Sequence, residues 1–438
     1  MYGAVIAAPA SGSGKTTITL GLLRHFARNN VPVSSFKIGP DYIDPGFHTA
    51  ASGRHCLNID GWAMRPGTIS KLFGKVAAYS EIVFGEGVMG LFDGAQGVSG
   101  ETYGSTADVA AQLGLPVILV VDASAQAQSA AATLHGFASF REDVIVAGVI
   151  FNRIGSVRHA DMLKEAAAPL GIPVLGCVPR MPGIVVPERH LGLVQACELM
   201  ALEKFLDAAA DLVASSIDIT GLRDLMSVVP PRPGGAPPQP VPPIGKRIAV
   251  ASDEAFRFHY RHVLDGWLAA DAELVSFSPL ADEAPDGLAD AVYLPGGYPE
   301  LHARTLSGAR TFLLGLKSAA DRGAVVYGEC GGFMVMGETL TDSEGDTHQM
   351  AKLLPLETSF ADRKMHLGYR EVKLISDTPL GPTGTVYGAH EFHFSSLVNE
   401  EDTDCLFTAT DAAGIDLGTH GLRRGNVMGS FIHLIDRR

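Results

Sequence analysis

Charge is scarce in these 438 residues: Asp, Glu, Lys and Arg together make up 19%, and acids outnumber bases by 48 to 34. A net charge of −14 leaves no basic surplus to neutralise a phosphate backbone, which argues against a nucleic-acid partner. Any anionic small substrate therefore needs a locally basic site. Cysteine is also thin. Cys56, Cys177, Cys197, Cys330 and Cys405 form an odd, scattered set without a C-x-x-C pair, so neither a disulfide frame nor a zinc site is encoded. That is the usage of a reducing compartment. No apolar run approaches the roughly 18 residues of a membrane span. The opening MYGAVIAAPASG has no basic n-region and no cleavage signal. A cytoplasmic protein is expected, and no repeat of solenoid period is visible.

Hydrophobic residues, at 46%, are ample for a soluble globular core. The length suggests two or three domains of about 100–200 residues each. PPRPGGAPPQPVPP, Pro230 to Pro243, holds eight prolines in fourteen residues. It can neither pair its backbone nor sustain a helix, so it reads as an extended linker. Before it, GAVIA, PVSSFKI, EIVFGE, PVILVVDAS, VIVAGVIFN and IPVLGCV alternate with helical patterns. Buried β-branched runs spaced in this way predict a doubly wound α/β domain with a parallel sheet. The same grammar resumes after the linker in RIAVASD, ELVSFSP, DAVYLPGG and AVVYGEC, then gives way near Leu353 to closely spaced alternating strands. The expected organisation is a domain over 1–228, a linker over 229–244 and a second α/β domain with a mixed sheet over 245–438.

APASGSGKTT follows the first strand and precedes a helical run. In that context the backbone amides of Ser11, Gly12, Ser13 and Gly14 and the helix start face phosphates. Lys15 neutralises them, while the hydroxyls of Thr16 and Thr17 adjoin them. The pattern departs from its consensus at Pro9, where glycine is usual, and at Ala10, where partitioning ATPases carry a further lysine. Past later strands come KIGPDYIDPGFH, with Lys37, Asp41, Tyr42, Asp44 and His48, and GEGVMGLFDG, with Glu86 and Asp93. Strand carboxyl ends are where doubly wound sheets bind ligands. The acids should converge on the loop there, and Thr16, Asp41 and Glu86 suit Mg2+. Asn152 closes another strand, where it either reads an adenine edge or simply forms a turn.

YGECGGFMVMG sets Cys330 between a strand and a helix-compatible run. A sharp glycine turn there lifts the thiol out of the sheet as a nucleophile elbow, and a helix start lowers its pKa. His433 in GSFIHLI is the candidate base, with Gly296, Gly297 and Gly331 as amide donors for an oxyanion. This is the chemistry of cysteine acyl transfer.

PGGYPE, GECGGFMVMG and SFIHL resemble a class I glutamine amidotransferase domain, while SGSGKTT, KIGPDYIDPGFH and EGVMGLFDG resemble dethiobiotin synthetase-like ATP-dependent ligases. Joined in this order over essentially the whole length, they resemble the cobyrinic or hydrogenobyrinic acid a,c-diamide synthases of cobalamin biosynthesis. The resemblance implies that Cys330 and His433 release ammonia from glutamine. It also implies that ATP, with Mg2+, activates the a and c acetate carboxylates of a corrinoid as acyl phosphates. Asp44 and Asp93 take catalytic positions alongside Asp41 and Glu86. Lys37, Tyr42, His48, Tyr369, Arg370, His390 and His393 would face the polycarboxylate. Many class I enzymes place a glutamate two residues after the histidine, but here that position is Ile435, so a Cys-His dyad is implied. Nickel-sirohydrochlorin a,c-diamide synthase and cobyric acid synthase share the modules. A phosphate-loop switch ATPase with an inert amidotransferase-like domain is the alternative of another class. A homodimer is the default assembly.

Overall fold

The computed structural model describes residues 1–97, 102–181, 188–189, 192–193, 201–228, 240–400 and 404–438. Cys197 and most of the proline-rich segment lie outside the described residues. The chain divides into two compact units. One comprises Met1–Trp62, Ile69–Ala95 and Thr102–Ala236; the other comprises Ala63–Thr68, Gln96–Glu101 and Pro237–Arg438.

The first unit is built on strands β1 (Tyr2–Ala7), β2 (Val33–Ile38), β3 (Leu57–Ile59), β4 (Ile82–Glu86), β5 (Val117–Asp122), β6 (Val146–Ile154) and β7 (Val174–Pro179). They pair in the order β3-β2-β4-β1-β5-β6-β7, all parallel. Both faces of such a sheet are covered, which is why VILVVD and VSSFKI are buried almost throughout. Helix α1 (Lys15–Arg28) leaves the end of β1, and α2 (Asp44–Ser52) follows β2. Helix α3 (Leu202–Ser216) lies so close to α1 that a Cβ on Gly21 would come within 2.6 Å of the Ala209 carbonyl oxygen. Arg24 and Arg28 bond Asp207 and Asp211 along the rim of that contact. Exposed pairs of this kind add at most about 1 kcal/mol.

The second unit carries β8 (Arg247–Ala251), β9 (Glu273–Phe277), β10 (Ala291–Leu294), β11 (Val325–Glu329), β12 (His366–Leu374), β13 (Val386–His393), β14 (Asp404–Asp411), β15 (Asp416–Arg424), β16 (Val427–Ser430) and β17 (Ile432–Arg437). Their order in one ten-stranded sheet is β9-β8-β10-β11-β16-β15-β14-β12-β13-β17. Pairing is parallel from β9 to β16 and antiparallel beyond it. The switch from crossover grammar to closely spaced strands in the sequence is this change of pairing. Phe431 alone separates β16 from β17, yet the two strands pair with different neighbours, β11 and β13. Among the described residues no helix is long and apolar enough to cross a membrane.

Candidate active sites

In the first unit, Gly12 and Gly14 adopt φ of +75° and +91° in the loop between β1 and α1. Other residues hold this region only at a cost of about 1–3 kcal/mol. Gly14 is constrained a second time, because a Cβ there would lie 2.2 Å from Asn152 Nδ2. That amide donates to the Ser13 carbonyl at 2.9 Å, and Ser13 Oγ donates to the Ala10 carbonyl at 2.8 Å. Asn152 thus braces the loop, and it also lines an adjacent cleft of about 380 Å³ with Gly14, Thr17, Arg153, Arg180 and Leu212. Ser11 and Gly12 are exposed at the loop tip. Lys15 Nζ donates to the carbonyls of Met89 (2.7 Å) and Ala10 (3.3 Å). Burial, reinforced by repulsion from Lys37, lowers its pKa to about 8.

Glu86 ends β4 with no exposure. Its Oε1 accepts from Thr16 Oγ1 at 2.7 Å and from Lys37 Nζ at 2.9 Å, and its Oε2 meets His48 Nε2 at 2.7 Å. Lys37 also donates to Asp44 Oδ2 at 2.5 Å. Burial works to neutralise Glu86, but Lys37 and His48 outweigh it and hold the carboxylate well below its usual range. For His48, burial opposes the charged ring, while Cys56 and Glu86 overcome it and raise the pKa to about 10. Asp44 is pushed upward by burial and by Asp41. Both Asp44 and Asp93 lie near enough to Lys15 to favour its charged form.

These positions revise part of the sequence reading. Lys37 and His48, expected to face substrate, are 3% and 0% exposed. A fully enclosed carboxylate such as Glu86 needs cationic partners, and these two supply them. Asp41, expected to lie beside Thr16 and Glu86, accepts from the backbone N–H groups of Ile43 and Asp44 and lies near enough to Lys37 and Asp44 to act on the charge of each. Asp93 is exposed and accepts from the Gly90 N–H. Tyr42 is half-buried on the turn before α2.

In the second unit, Cys330 follows β11 with φ +48°, a left-handed backbone for a side-chain-bearing residue, and precedes the short helix α4 (Gly331–Val335). The turn is tight enough that a Cβ on Gly332 would lie 2.0 Å from the Leu294 carbonyl oxygen. Cys330 N–H donates to the Ser430 carbonyl at 2.8 Å, which ties the nucleophile to the end of β16 three residues before His433. Gly296 measures how near the pair comes. A Cβ there would lie 2.5 Å from His433 Cε1, 3.1 Å from His433 Nε2 and 3.3 Å from Cys330 Cβ. A Cβ on Gly331 would lie 3.0 Å from the Gly297 amide nitrogen, so the three glycines named from the sequence fall in one cluster with Cys330. The thiol does not have the lowered pKa expected of a helix start. Burial first, then Glu300, raise it well above the usual thiol range, against the hydrogen bond from Gly331. The elbow is closed over, and desolvation outweighs the effect of so short a helix.

His390 and His393, expected on a substrate face, are each only 7% exposed. The polar side chains of AHEFHFS are enclosed: His393 bonds Glu391 and Ser395, whereas His390 Nδ1 has no hydrogen-bond partner among the described residues. His393 stacks between the rings of His366 and Phe431 at 4.6 and 4.0 Å and meets Glu391 at 3.0 Å. Glu391 also accepts from Arg370 at 2.7 Å. Tyr369 packs edge-on to His390, which lies opposite His433 in the β13/β17 register. Burial lowers the His390 pKa to about 3, so its ring is neutral at physiological pH. Ile435 indeed supplies no carboxylate, but one arrives from elsewhere. Glu329, directly before Cys330, sets a carboxylate oxygen 3.4 Å from His433 Nδ1, an ion-pair separation once the ring is protonated, although no hydrogen bond is formed between them in the resting arrangement. Its only trace in the sequence is an acid closing the apolar run AVVYG.

Comparison with known proteins bears on both sites. Residues 4–194 match the CobQ/CobB/MinD/ParA nucleotide binding domain, and residues 247–438 match the CobB/CobQ-like glutamine amidotransferase domain. Hydrogenobyrinate a,c-diamide synthase of Brucella suis is 54% identical over 439 residues, covering 100% of this chain and 99% of that protein. The protein of that name from Rhizobium meliloti is 52% identical with the same coverage. The one from Mesorhizobium japonicum is 48% identical over 99% of this chain and 98% of its own. A solved glutamine amidotransferase structure aligns over 42% of this chain and 89% of its own at 14% identity, with a TM-score of 0.30, too low to bear on the reading. With matching domains in the same order and relatives similar from end to end, the chain belongs to the hydrogenobyrinate a,c-diamide synthase family.

Proposed function

We propose that this chain amidates the a and c acetate carboxylates of hydrogenobyrinic acid, using ATP and glutamine-derived ammonia. The observation that carries the reading is the end-to-end similarity to relatives bearing that name. In the second unit, His433 takes the Cys330 proton and the thiolate adds to the side-chain carbonyl of glutamine. The amides of Gly297 and Gly331 face the oxyanion. Collapse breaks the C–N bond as the imidazolium returns its proton to the departing ammonia. Water then cleaves the thioester to glutamate and free thiol. In the first unit, the terminal phosphoryl of ATP passes to a substrate carboxylate while the loop amides and Lys15 oppose its charge. Ammonia then displaces phosphate from the acyl phosphate. Asp44 and Asp93 flank Lys15 and handle the carboxylate being activated.

The Thr16 hydroxyl and the Glu86 carboxylate touch, and Glu86 is kept ionised. This is a hard oxygen pair of the kind that suits Mg2+. When bound, that ion neutralises phosphate charge. Asn152, Arg153 and Arg180 line the cleft we assign to the nucleoside.

The test is to incubate the chain with ATP, magnesium, hydrogenobyrinic acid and either glutamine or ammonium, and to follow the mass of the macrocycle. Two amides should form with either nitrogen source, and Cys330→Ala should respond only to ammonium. Amide formation from cobyrinic acid or nickel-sirohydrochlorin, with none from hydrogenobyrinic acid, would reassign the substrate. Failure to release any ammonia from glutamine would favour the switch-ATPase class instead.

A further inference from the structure

We propose that Glu329 is the positioning residue that completes a Cys330–His433–Glu329 relay, in place of the carboxylate missing at Ile435. The inference rests on the glutaminase reading of the second unit. Glu329 is 4% exposed and its donors come from three directions. Tyr293 OH donates to Oε2 at 2.7 Å, while Tyr327 OH and the Leu434 backbone N–H donate to Oε1 at 2.8 and 3.1 Å. The two tyrosine rings stack at 5.8 Å and so fix their hydroxyls. Oε2 keeps a further acceptor direction, and His433 Nδ1 lies 3.4 Å from it. The other ring nitrogen, Nε2, borders Gly296 on the side that also borders Cys330.

The donors show why a charge is needed. A neutral glutamine would accept from Tyr327 and Leu434 through its carbonyl oxygen and donate its amide to a turned Tyr293 hydroxyl, so these three groups do not by themselves demand an anion. A carboxylate is needed once a cation forms beside it, and that happens when His433 accepts the Cys330 proton. Glu329 then holds Nδ1–H as donor, leaves Nε2 free to face the thiol, and stabilises the imidazolium. Because Glu329 adjoins Cys330 and also grips the backbone at Leu434, a single residue ties the elbow to the strand that carries the base.

The test compares native chain, Glu329→Gln, Glu329→Asp and Cys330→Ala by glutamate release from glutamine, with 15N NMR of the imidazoles assigned through His433→Gln. For Glu329→Gln, kcat should fall about 10²-fold, in the range of lost acid–base assistance, with KM within about threefold. The His433 ring should shift toward the Nε2–H tautomer, and Glu329→Asp should recover about tenfold of the loss by keeping the charge. A Gln variant within about threefold of native kcat, or with an unaltered His433 tautomer, overturns the proposal. Should the Gln variant melt below assay temperature, Glu329→Asp decides: lowered kcat with Nδ1–H retained supports the relay, and native kcat overturns it. Cys330→Ala separates the two levels. If it still releases glutamate, the glutaminase reading falls and the relay with it; if it is inert while Glu329→Gln is fully active, only the relay falls.

Discussion

Replacing Gly296 with alanine is the most direct probe of the geometry around Cys330. The new methyl carbon would lie 2.5 Å from His433 Cε1, 3.1 Å from Nε2 and 3.3 Å from Cys330 Cβ. Ordinary carbon contact begins near 3.5 Å, so the ring must retreat by about 1 Å. Gly296 does not need a left-handed backbone, so the alanine adds no backbone strain and its effect comes from the methyl alone. Overpacking of this kind costs about 1–3 kcal/mol of stability. A catalytic pair displaced by about 1 Å loses roughly 10²-fold in rate. The assay is amide formation by Gly296→Ala with glutamine and, separately, with ammonium chloride. Glutamine-fed turnover should collapse by that factor while ammonium-fed turnover persists, since the phosphate loop belongs to the other unit. Glutamine-fed turnover within about threefold of native would mean that Cys330 and His433 do not react across Gly296.

Glu86→Gln removes the anion between two buried cations, and breaking such a buried set costs about 3–5 kcal/mol; a thermal scan should show the loss together with failure of ATP turnover, and an unchanged melting point would contradict the burial argument. Glu391 tests pH dependence. Burial tends to raise its pKa, but His393 and Arg370 prevail and lower it to about 2. Its stabilising contribution is therefore present above the ordinary glutamate value near 4.3 and disappears as pH falls toward 2. The native chain should melt above Glu391→Gln at pH 7, with the gap closing through that acid window; a gap independent of pH would show that Glu391 is not held ionised. Finally, because burial raises the Cys330 pKa, iodoacetamide should label it at pH 7.5 far more slowly than a free cysteine, as read by mass spectrometry of the peptide. Rapid labelling would show that the elbow is open in the free protein.

What the sequence made legible was local. SGSGKTT between a strand and a helix, and GECGG after AVVY, name their backbone conformations through glycine. The β-branched runs announce a parallel sheet because both of its faces are covered. Pairing across distance left little trace. Nothing in VMGS predicts that β16 inserts beside β11, yet that insertion brings His433 to Cys330. The alternation in AHEFHFS reads as one wet and one dry face, whereas His390, Glu391 and His393 are all buried, His390 against Tyr369 and His393 between His366 and Phe431. His48 looks like a ligand beside Asp44, and only the fold shows it turned toward Glu86. Glu329 was visible as a letter, but its role depends on a histidine about a hundred residues away, a separation that no local pattern spans.

The mixed pairing of the second sheet has a consequence for how activity is acquired. Strands β8 to β11 form a parallel block that can condense around Cys330 with modest loop closures. His433 rides on β17, which rests on β13, at the far end of the antiparallel half. Joining ends so distant along the chain carries a closure entropy that slows folding. Cys330 itself leans on that late half, through the Ser430 carbonyl and the Phe392 carbonyl, so enclosure of the thiol and arrival of its base are one event. A chain caught before that joining holds a cysteine without its base and squanders no glutamine.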